Sequence, residues 1–443
     1  MTKQYDYDVL YLGSGHGTFD GAIPLAQSGV KVGIIEADMI GGTCPNYGCN
    51  AKITLDAPVT LTRAAERLSG IVQGKLTIDW TQNEAHKEAV INELPDMIGG
   101  LLDQSGIDVI HGRGVFEDNH TIIVDGKAVT ADKIVISTGL RPHRLDIPGT
   151  ELAHDSRDFM ALKTLPQKIA IIGSGYISME FATIANAAGA EITVLMHGDR
   201  ALRQFHAPYV DKVVTDLEQR NVTFVPNADV TAFEKHGDQT QVTYSDGQSL
   251  LVDWVLDASG RIPNVENIGL ETIGVTYNQS GIPVNDYLQT NVDNIYASGD
   301  VLDKTQPKLT PTAIFESTYL FKQFSGQTKS PIQYPVVPSV VFTSPRIAQA
   351  GVLVADAEQG DYEVQKTDLT KDWYRQVDNE TIADNTLIFD KQHHLIGVTE
   401  VSEQAENVVN TLLPAIEFKF GPDEIGRLIH LFPSIGMATW GQL

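Results

Sequence analysis

The stretch YDVLYLGSGHGTFDGAIPLAQSGVKVGIIE, residues 7–36, has the pattern of a strand, a glycine turn, a helix and a second strand. Gly13, Gly15 and Thr18 fill the positions of a G-x-G-x-x-G fingerprint, and Glu36 ends the second strand. Glycines let the backbone approach a pyrophosphate, the helix N-terminus offers free N–H groups, and the acid accepts from a ribose hydroxyl. The pattern predicts a dinucleotide-binding βαβ unit, with looser helix–strand packing where Thr18 replaces the third glycine.

A second copy of the pattern lies in QKIAIIGSGYISMEFATIANAAGAEITVLM, residues 167–196. Gly173, Gly175 and Ser178 take the fingerprint positions after an apolar strand, and a second strand follows the helix. One such fingerprint is weak, but two in strand–turn–helix context predict two doubly wound domains and two bound dinucleotides.

The composition bounds the possible classes of protein. At 443 residues the chain predicts two to four domains. Its net charge of −25 disfavours nucleic acid and anionic membranes as partners, because both attract basic surfaces. No apolar run approaches the roughly 20 residues of a membrane span, and the N-terminus lacks a signal-peptide pattern. We expect a cytoplasmic protein.

Both cysteines of the chain lie in GGTCPNYGCNAK, residues 41–52. Two cysteines do not make a secreted disulfide framework, and zinc would need four ligands where no Cys or His cluster is near. The pair therefore indicates redox chemistry, with two incidental thiols as the alternative. A disulfide needs Cα atoms about 4.4–6.8 Å apart, whereas helical positions i and i+5 lie roughly 8–9 Å apart. Cys44 and Cys49 can bridge only if the backbone leaves helical geometry, for which Pro45 and Gly48 are suited.

The rest of the chain alternates helical and strand-rich stretches. Residues 55–100 predict helices, residues 106–139 and 222–260 predict strands, and Asp125-Gly126 predicts a hairpin turn. From about residue 333 the sequence predicts a third unit of mixed strands and helices, of the α+β type.

Six ordered motifs resemble the FAD-dependent pyridine nucleotide–disulfide oxidoreductases of class I, which include glutathione reductase and dihydrolipoamide dehydrogenase. The segment 41–52 resembles the active-site motif of this family, and the resemblance extends over nearly the whole chain. The other motifs are IVISTGLRPHRLDIPG (134–149), DASGRIPN (257–264), NIYASGD (294–300), LTPTAIFE (309–316) and VVFTSP (340–345).

The resemblance implies an α/β fold with two Rossmann-like dinucleotide-binding domains and a C-terminal α+β dimerisation domain. Residues 1–150 and 261–330 would form the FAD-binding domain, residues 151–260 the NAD(P)H-binding domain, and residues 331–443 the dimerisation domain. The implied cofactors are FAD and NADPH or NADH, and the implied partners are a second copy of the chain and a small-molecule electron acceptor. No metal site is expected.

The resemblance also assigns residues to the two cofactors by motif position. FAD is expected at Gly13, Gly15, Glu36, Thr43 and Asp300, and the nicotinamide dinucleotide at Gly173, Gly175 and Tyr176. Further residues expected at a cofactor are Ser14, Gly17, Thr18, Gly114, Thr138, Gly139, Gly260, Arg261 and Ala313.

The family mechanism gives roles to four further side chains. Electrons pass from NAD(P)H to the flavin, then to the disulfide, with Cys49 on the flavin side and Cys44 attacking the substrate. Lys52 matches a lysine near flavin N5, and Glu180 matches its ion-pair partner. The alternative is that Lys52 and Glu180 are unrelated surface charges.

The end of the second strand in the second fingerprint bears on the choice of nicotinamide. NAD-preferring relatives carry an acid there, where this chain has Met196. NADPH-preferring relatives carry two arginines; Arg203 matches one, and His197 stands at the place of the other, with Arg200 close by. This favours NADPH, with a solvated basic turn as the alternative.

The C-terminal stretch IHLFPSIGM, residues 429–437, departs from the family pattern. Relatives place a histidine before the proline and a glutamate four positions after it as an acid–base pair, whereas this chain has Phe432 and Met437. His430 is a possible substitute, although a packed or solvated histidine is the favoured interpretation. Two alternatives to disulfide reduction therefore stay open: a reductase for quinones, oxygen or metal ions, and a redox-sensing flavoprotein with little turnover.

Overall fold

The computed structural model describes residues 5–443. Within them the strands are β1 (Tyr7–Leu12), β2 (Val32–Glu36), β3 (Asp108–His111), β4 (Gly114–Asp118), β5 (Thr121–Val124), β6 (Lys127–Ile136), β7 (Leu140–Pro142), β8 (Lys168–Ile172), β9 (Glu191–Leu195), β10 (Thr223–Val225), β11 (Val230–His236), β12 (Gln239–Tyr244), β13 (Gln248–Val252), β14 (Trp254–Asp257), β15 (Arg261–Pro263), β16 (Ile295–Ala297), β17 (Ser339–Val341), β18 (Arg346–Gly351), β19 (Glu363–Asp368), β20 (Asp384–Phe389) and β21 (Leu395–Ser402).

The α-helices in the same residues are α1 (Phe19–Gln27), α2 (Thr43–Tyr47), α3 (Cys49–Arg67), α4 (Trp80–Ile91), α5 (Leu94–Gln104), α6 (Ser156–Met160), α7 (Tyr176–Ala187), α8 (Ala207–Gln219), α9 (Leu270–Ile273), α10 (Thr310–Phe324), α11 (Val354–Ala357), α12 (Trp373–Val377), α13 (Ala405–Phe418), α14 (Pro422–Ile425) and α15 (Ile435–Trp440). Short 3-10 turns span Thr150–Leu152 and Gly299–Val301.

A first compact unit contains residues 5–54, 85–143 and 261–333. Its parallel strands run in the order β3-β2-β1-β6, with β16 also on β6, and β5 and β4 extend the sheet antiparallel. Every residue of β2 is buried, as expected for a parallel strand covered on both faces. The turn between β5 and β6 has positive φ at Asp125 (48°) and Gly126 (77°), which confirms the hairpin predicted there.

Helix α1 packs closely on α10 in this unit, and the residue that allows it is Gly21. A Cβ on Gly21 would lie 2.0 Å from the backbone oxygen of Ser317, so a larger residue would push the two helices apart. Thr18 is fully buried and its hydroxyl donates to the Gly13 carbonyl at 2.8 Å. The expected loosening at Thr18 is therefore wrong: its hydroxyl ties the helix start to the glycine turn.

A second compact unit contains residues 55–84, 144–260 and 334–443. It repeats the parallel arrangement in the sheet β10-β9-β8-β14, beside the antiparallel meander β11-β12-β13. Its C-terminal part is an antiparallel sheet in the order β17-β18-β21-β20-β19, and α13 buries Val408, Leu412 and Ile416 in the core against it. The α/β fold with two Rossmann-like sheets and a C-terminal α+β part is confirmed.

The predicted helical region 55–100 is interrupted between α3 and α4, where residues 68–79 form turns and an isolated bridge. In the part of the chain from residue 5 onward, none of the helices is long and apolar enough to cross a lipid bilayer.

Candidate active site

The backbone between the two cysteines is broken at a single residue. Helix α2 ends at Tyr47, Gly48 leaves helical geometry with φ −128° and ψ −120°, and α3 begins at Cys49. A Cβ on Gly48 would lie 3.0 Å from the Cys44 Cα and 2.8 Å from the Thr43 carbonyl oxygen. The predicted departure from helical geometry is confirmed. It falls at Gly48 and not at Pro45, which lies inside α2.

The two thiols contact each other and two polar side chains. The Cys44 Sγ donates to the Asn50 amide oxygen at 3.8 Å, and the Cys49 Sγ lies 3.5 Å from the Thr310 hydroxyl. Cys44 is half-buried, and its hydrogen bond with Cys49, together with burial, raises the pKa of the Cys44 thiol. A hydrogen bond from Thr310 opposes part of that rise in pKa. The pair therefore offers two adjacent sulfurs in unequal surroundings.

The two glycine turns have the same geometry in their separate units. Gly13 has φ 106°, and a Cβ there would lie 2.5 Å from the carbonyl oxygen of Ser137, just beyond β6. Gly173 has φ 103°, and its Cβ would lie 2.4 Å from the carbonyl oxygen of Ala258, just beyond β14. Positive φ and backbone contact both require glycine at these positions. Each turn thus opens at the carboxyl ends of parallel strands, where such sheets bind ligands.

The space beside the second fingerprint glycine is open in both turns. A Cβ on Gly15 would have only the Gly41–Gly42 backbone at 3.8–3.9 Å, and one on Gly175 would meet nothing within 4 Å. A Cβ on Gly17, in contrast, would lie 3.2 Å from the Ser298 carbonyl oxygen. The turns therefore leave room for a phosphate to approach the backbone.

Glu36 is buried and oriented by the glycine turn itself. Its carboxylate accepts from the Ser14 backbone N–H at 2.8 Å, from the Ser14 hydroxyl at 2.5 Å, and from the Asp38 N–H at 2.7 Å. A carboxylate has about four lone-pair sites, so one acceptor site remains for a ribose hydroxyl. The residues at this turn fit the adenosine half of FAD.

Asp300 lies at the carboxyl end of β16, and one of its carboxylate oxygens, Oδ1, is buried without a hydrogen-bond partner among residues 5–443. The preceding residue, Gly299, donates its N–H to Glu316 at 2.7 Å, and Lys304 donates to the same carboxylate at 2.6 Å. Side chains of Lys304 and Glu316 are 5% and 0% exposed. A buried ion pair thus fixes the loop that carries an unsatisfied acceptor, which fits the ribityl–pyrophosphate part of FAD.

The other residues expected at FAD surround the carboxyl ends of the first parallel sheet. Thr43 begins α2, Ala313 is buried in α10, and Gly114 packs against the end of β1. Thr138 donates to the Asn264 carbonyl at 2.7 Å next to Gly139, which has φ 67°. These contacts bring the segments following β1, β2, β6 and β16 to one edge of the sheet.

Two expected cofactor residues follow strand β14. Gly260 is exposed, and the Arg261 guanidinium donates to the Leu140 carbonyl oxygen at 2.7 Å, where β15 pairs with β7. The guanidinium thus makes a structural contact, and a role for Arg261 at a cofactor stays a prediction.

The predicted phosphate-binding side chains of the second unit are paired with acids. His197 hydrogen-bonds Asp229 through Nδ1 at 2.5 Å, and Arg203 donates to Asp199 at 3.1 Å. All four side chains are well exposed, so water screens both pairs. Tyr176 opens α7 and is 39% exposed. The basic turn expected from the sequence exists, but its charge is partly neutralised.

Lys52 and Glu180 are both buried, which contradicts the interpretation of two surface charges. Glu180 Oε1 accepts from the Phe342 backbone N–H at 2.9 Å within the second unit. The ion pair between Lys52 and Glu180 stays a prediction.

The C-terminal stretch presents apolar side chains where relatives carry an acid–base pair. Phe432 and Met437 are exposed, and the Phe432 ring lies 5.7 Å from that of Trp373. His430 stacks on Trp440 with ring centroids 5.2 Å apart, which supports the favoured interpretation of a packed histidine.

Sequence reasoning missed four side chains of the site: Asn50, Thr310, Lys304 and Glu316. Thr310 lies in the quoted motif 309–316, but the motif does not say that the hydroxyl reaches Cys49. Asn50 directly follows Cys49 and has a polar side chain, so its position beside the thiols could have marked it as a site residue. Nothing in the sequence pairs Lys304 with Glu316.

Comparison with known proteins decides the family. Residues 7–317 match the model of the pyridine nucleotide-disulphide oxidoreductases, and residues 337–441 match the dimerisation domain of that family. The chain belongs to the pyridine nucleotide-disulphide oxidoreductase family. It is an NAD(P)H-dependent flavin disulfide oxidoreductase that uses FAD.

Similar members of the pyridine nucleotide-disulphide oxidoreductases have diverse names. A glutathione reductase of Nostoc sp. is 30% identical over 97% of this chain and 98% of its own length. A dihydrolipoyl dehydrogenase of Bacillus subtilis is 31% identical over 98% of this chain and 94% of its own length. The solved structure of the HOCl-induced flavoprotein disulfide reductase RclA from Escherichia coli superposes with a TM-score of 0.89 at 26% identity, covering 98% of both chains.

Replacing Gly48 tests whether its missing side chain brings the thiols together. In Gly48→Ala the new methyl would contact backbone atoms at 2.8 and 3.0 Å, so the break must shift and the sulfurs must separate. We expect disulfide formation by diamide to slow at least ~10-fold, because attack needs sulfur–sulfur contact. The rate is measured by quenching the oxidation at set times and counting the remaining free thiols. Gly100→Ala, in an open helix position, is the control; an unchanged rate in Gly48→Ala would contradict the account.

Replacing Glu316 tests whether the buried ion pair holds the FAD loop. In Glu316→Gln, Lys304 becomes a buried charge without its anionic partner, which costs roughly 3–5 kcal/mol. We expect lower thermal stability and loss of FAD on gel filtration, measured by flavin absorbance per chain. The double variant Lys304→Met/Glu316→Leu removes both charges and should recover most of the stability. Full FAD retention and unchanged stability in Glu316→Gln would rule this role out.

Proposed function

We propose that this chain reduces a small disulfide with electrons from NADPH, through FAD and the Cys44–Cys49 pair. One observation carries the proposal: the break at Gly48 places the only two cysteines of the chain in hydrogen-bond contact with each other. Such a pair can open to two thiols and close to a disulfide without large backbone movement.

The residues of the site have separate tasks in this function. FAD, when bound, takes a pair of electrons from the nicotinamide and gives them up again. Gly13, Gly15 and Glu36 bind its adenosine and phosphates, and Asp300 the ribityl–pyrophosphate part. Cys49 is the sulfur on the flavin side, and Cys44 attacks the substrate disulfide.

Further residues complete the proposed site. Lys52, paired with Glu180, orients the reacting end of the flavin site, and Tyr176 covers it until the nicotinamide enters. Support for these roles comes from the match of motif positions, and from the burial of Lys52 and Glu180.

We propose that the working form is a cytoplasmic homodimer with the domain boundaries 1–150, 151–260, 261–330 and 331–443. Support comes from the match of residues 337–441 to a dimerisation domain. The C-terminal stretch also exposes Ile429 (99%), Leu431 (86%) and Phe432 (68%) in the single chain. Apolar side chains this exposed are typical of a surface that another subunit covers.

A second candidate function is reduction of metal ions such as Cu(II). Phe432 and Met437 cannot carry a proton, and one-electron transfer to a metal needs no positioned acid. The solved structure of RclA is also described as a Cu(II) complex, at a TM-score of 0.89. In this candidate the electrons can leave directly from the flavin, so turnover does not require Cys44.

Substitution of Cys44 distinguishes the two candidates. With oxidised glutathione or lipoamide as acceptor, Cys44→Ser should lose at least ~100-fold in NADPH oxidation, because the attacking thiol is gone. With Cu(II) or a quinone, turnover supported directly from the flavin would survive the substitution. The measurement is NADPH consumption at 340 nm for wild type and variant against each acceptor. Disulfide reduction is contradicted if the wild type turns over metal ions or quinones and none of the disulfides.

Substitution of Arg203 tests the preference for NADPH. We expect Arg203→Ala to lower kcat/KM for NADPH about 5–10-fold, because a charge-assisted contact to the 2′-phosphate is lost. The value for NADH, which lacks that phosphate, should stay within about twofold. Asp199→Asn, which frees Arg203 from its acidic neighbour, should shift the ratio toward NADPH. An equal loss for both dinucleotides would contradict the assignment.

A further inference from the structure

The side chain of Asn50 gives the Cys44 thiol a hydrogen-bond acceptor in addition to its partner sulfur. The amide oxygen of Asn50, which can only accept, lies 3.8 Å from the Cys44 Sγ. The hydroxyl of Thr310 lies 3.5 Å from the Cys49 Sγ, and its hydrogen bond also lowers the pKa of Cys44, so Thr310 serves both sulfurs. We propose that Asn50 is a positioning residue that keeps the remaining proton of the reduced pair on Cys44 and leaves the negative charge on Cys49. This inference rests on the proposed function.

The stoichiometry of reduction requires such an assignment. NAD(P)H delivers a hydride equivalent, that is, two electrons and one proton. The sulfur–sulfur bond takes both electrons and breaks, and with one proton it yields one thiol and one thiolate. Asn50 stabilises the thiol form of Cys44 as a hydrogen-bond acceptor, whereas the Thr310 hydroxyl can donate to whichever sulfur carries the negative charge.

Asn50 lies at the start of a helix, beside Cys44. It is the second residue of α3, and its backbone carbonyl accepts from the Thr54 hydroxyl at 2.8 Å, a bond that does not involve the Asn50 amide group. Gly48 packs against the Cys44 backbone directly before α3 begins, and the Asn50 amide oxygen lies 3.8 Å from the Cys44 Sγ. The raised pKa of Cys44, caused by its hydrogen bond to Cys49 and by burial, agrees with a proton that stays on this sulfur.

The assignment has a consequence for substrate attack, because the C-terminal stretch lacks the acid–base pair. Relatives use a histidine, paired with a glutamate, to take the proton from the attacking thiol. This chain has Phe432 in place of the histidine and Met437 in place of the glutamate. Only the thiolate is a strong nucleophile, so a Cys44 held as a thiol attacks slowly near neutral pH. Its reactivity must rise with pH as the thiol ionises.

The pH midpoint of Cys44 alkylation tests the role of Asn50. Holoenzyme is reduced with dithiothreitol, desalted, and treated with iodoacetamide from pH 6 to pH 11. Fragment-ion mass spectrometry of the tryptic peptide 32–52, which contains both cysteines, locates the label. In Asn50→Ala the acceptor is lost, and we expect the Cys44 midpoint to fall by about half a pH unit. In Asn50→Asp the acceptor gains a negative charge, and we expect a rise of about one unit or more.

One control makes the outcome specific. Thr54→Val removes the hydroxyl that binds the Asn50 carbonyl without touching a sulfur, and it should leave the midpoint unchanged. The proposal is overturned if the midpoint stays unchanged in Asn50→Ala, which would mean that Asn50 has no effect on the Cys44 proton. It is equally overturned if the midpoint rises, which would mean that the amide nitrogen donates to a thiolate. It is also overturned if Thr54→Val reproduces the fall. Because dithiothreitol supplies the electrons, these results do not depend on NADPH, whereas failure of the proposed function appears as absent turnover with every disulfide.

Discussion

The close approach of Gly48 to the backbone of Cys44 is the constraint on which the chemistry of this protein depends. A continuous helix would hold positions 44 and 49 roughly 8–9 Å apart at their Cα atoms, too far for a disulfide. Ending α2 at Tyr47 and restarting at Cys49 breaks the helix at Gly48. Only a residue without a Cβ fits there, because a Cβ would lie 2.8 Å from the Thr43 carbonyl oxygen. The two sulfurs then lie in hydrogen-bond contact, and this contact raises the pKa of the Cys44 thiol.

The parts of the fold that hold the cofactors follow from short-range rules and could be predicted from the sequence. Gly13 and Gly173 repeat because a positive φ and contact with the neighbouring strand's carbonyl leave no choice of residue. The apolar runs before each turn form parallel strands buried on both faces, and the Asp125-Gly126 turn follows from residues that tolerate positive φ. In each case the determining contacts lie within one βαβ or hairpin unit.

The features that the sequence did not reveal arise from contacts between distant segments. Thr310 reaches Cys49 across 261 positions of the chain. The Lys304–Glu316 pair can be recognised only once the 3-10 turn Gly299–Val301 and α10 are known. The acids Asp199 and Asp229 pair with Arg203 and His197 and partly neutralise the basic turn. The pairing of His197 could not be predicted, because Asp229 lies 32 positions away in the sequence. Thr18 looked like a defect in the fingerprint until the structure showed its hydroxyl on the Gly13 carbonyl.

The proposed division of labour has a cost for catalysis. Apolar Phe432 and Met437 remove the proton carriers that relatives use, and the proton is then confined to the thiols and their immediate neighbours. The most direct test of the whole account is an anaerobic titration of the oxidised holoenzyme with NADPH, followed by thiol counting with DTNB in denaturant. The account predicts that, once NADPH is in excess, two new thiols appear per chain, at Cys44 and Cys49. Loss of flavin absorbance with no new thiols would show that the electrons never reach the sulfur pair, and would contradict it.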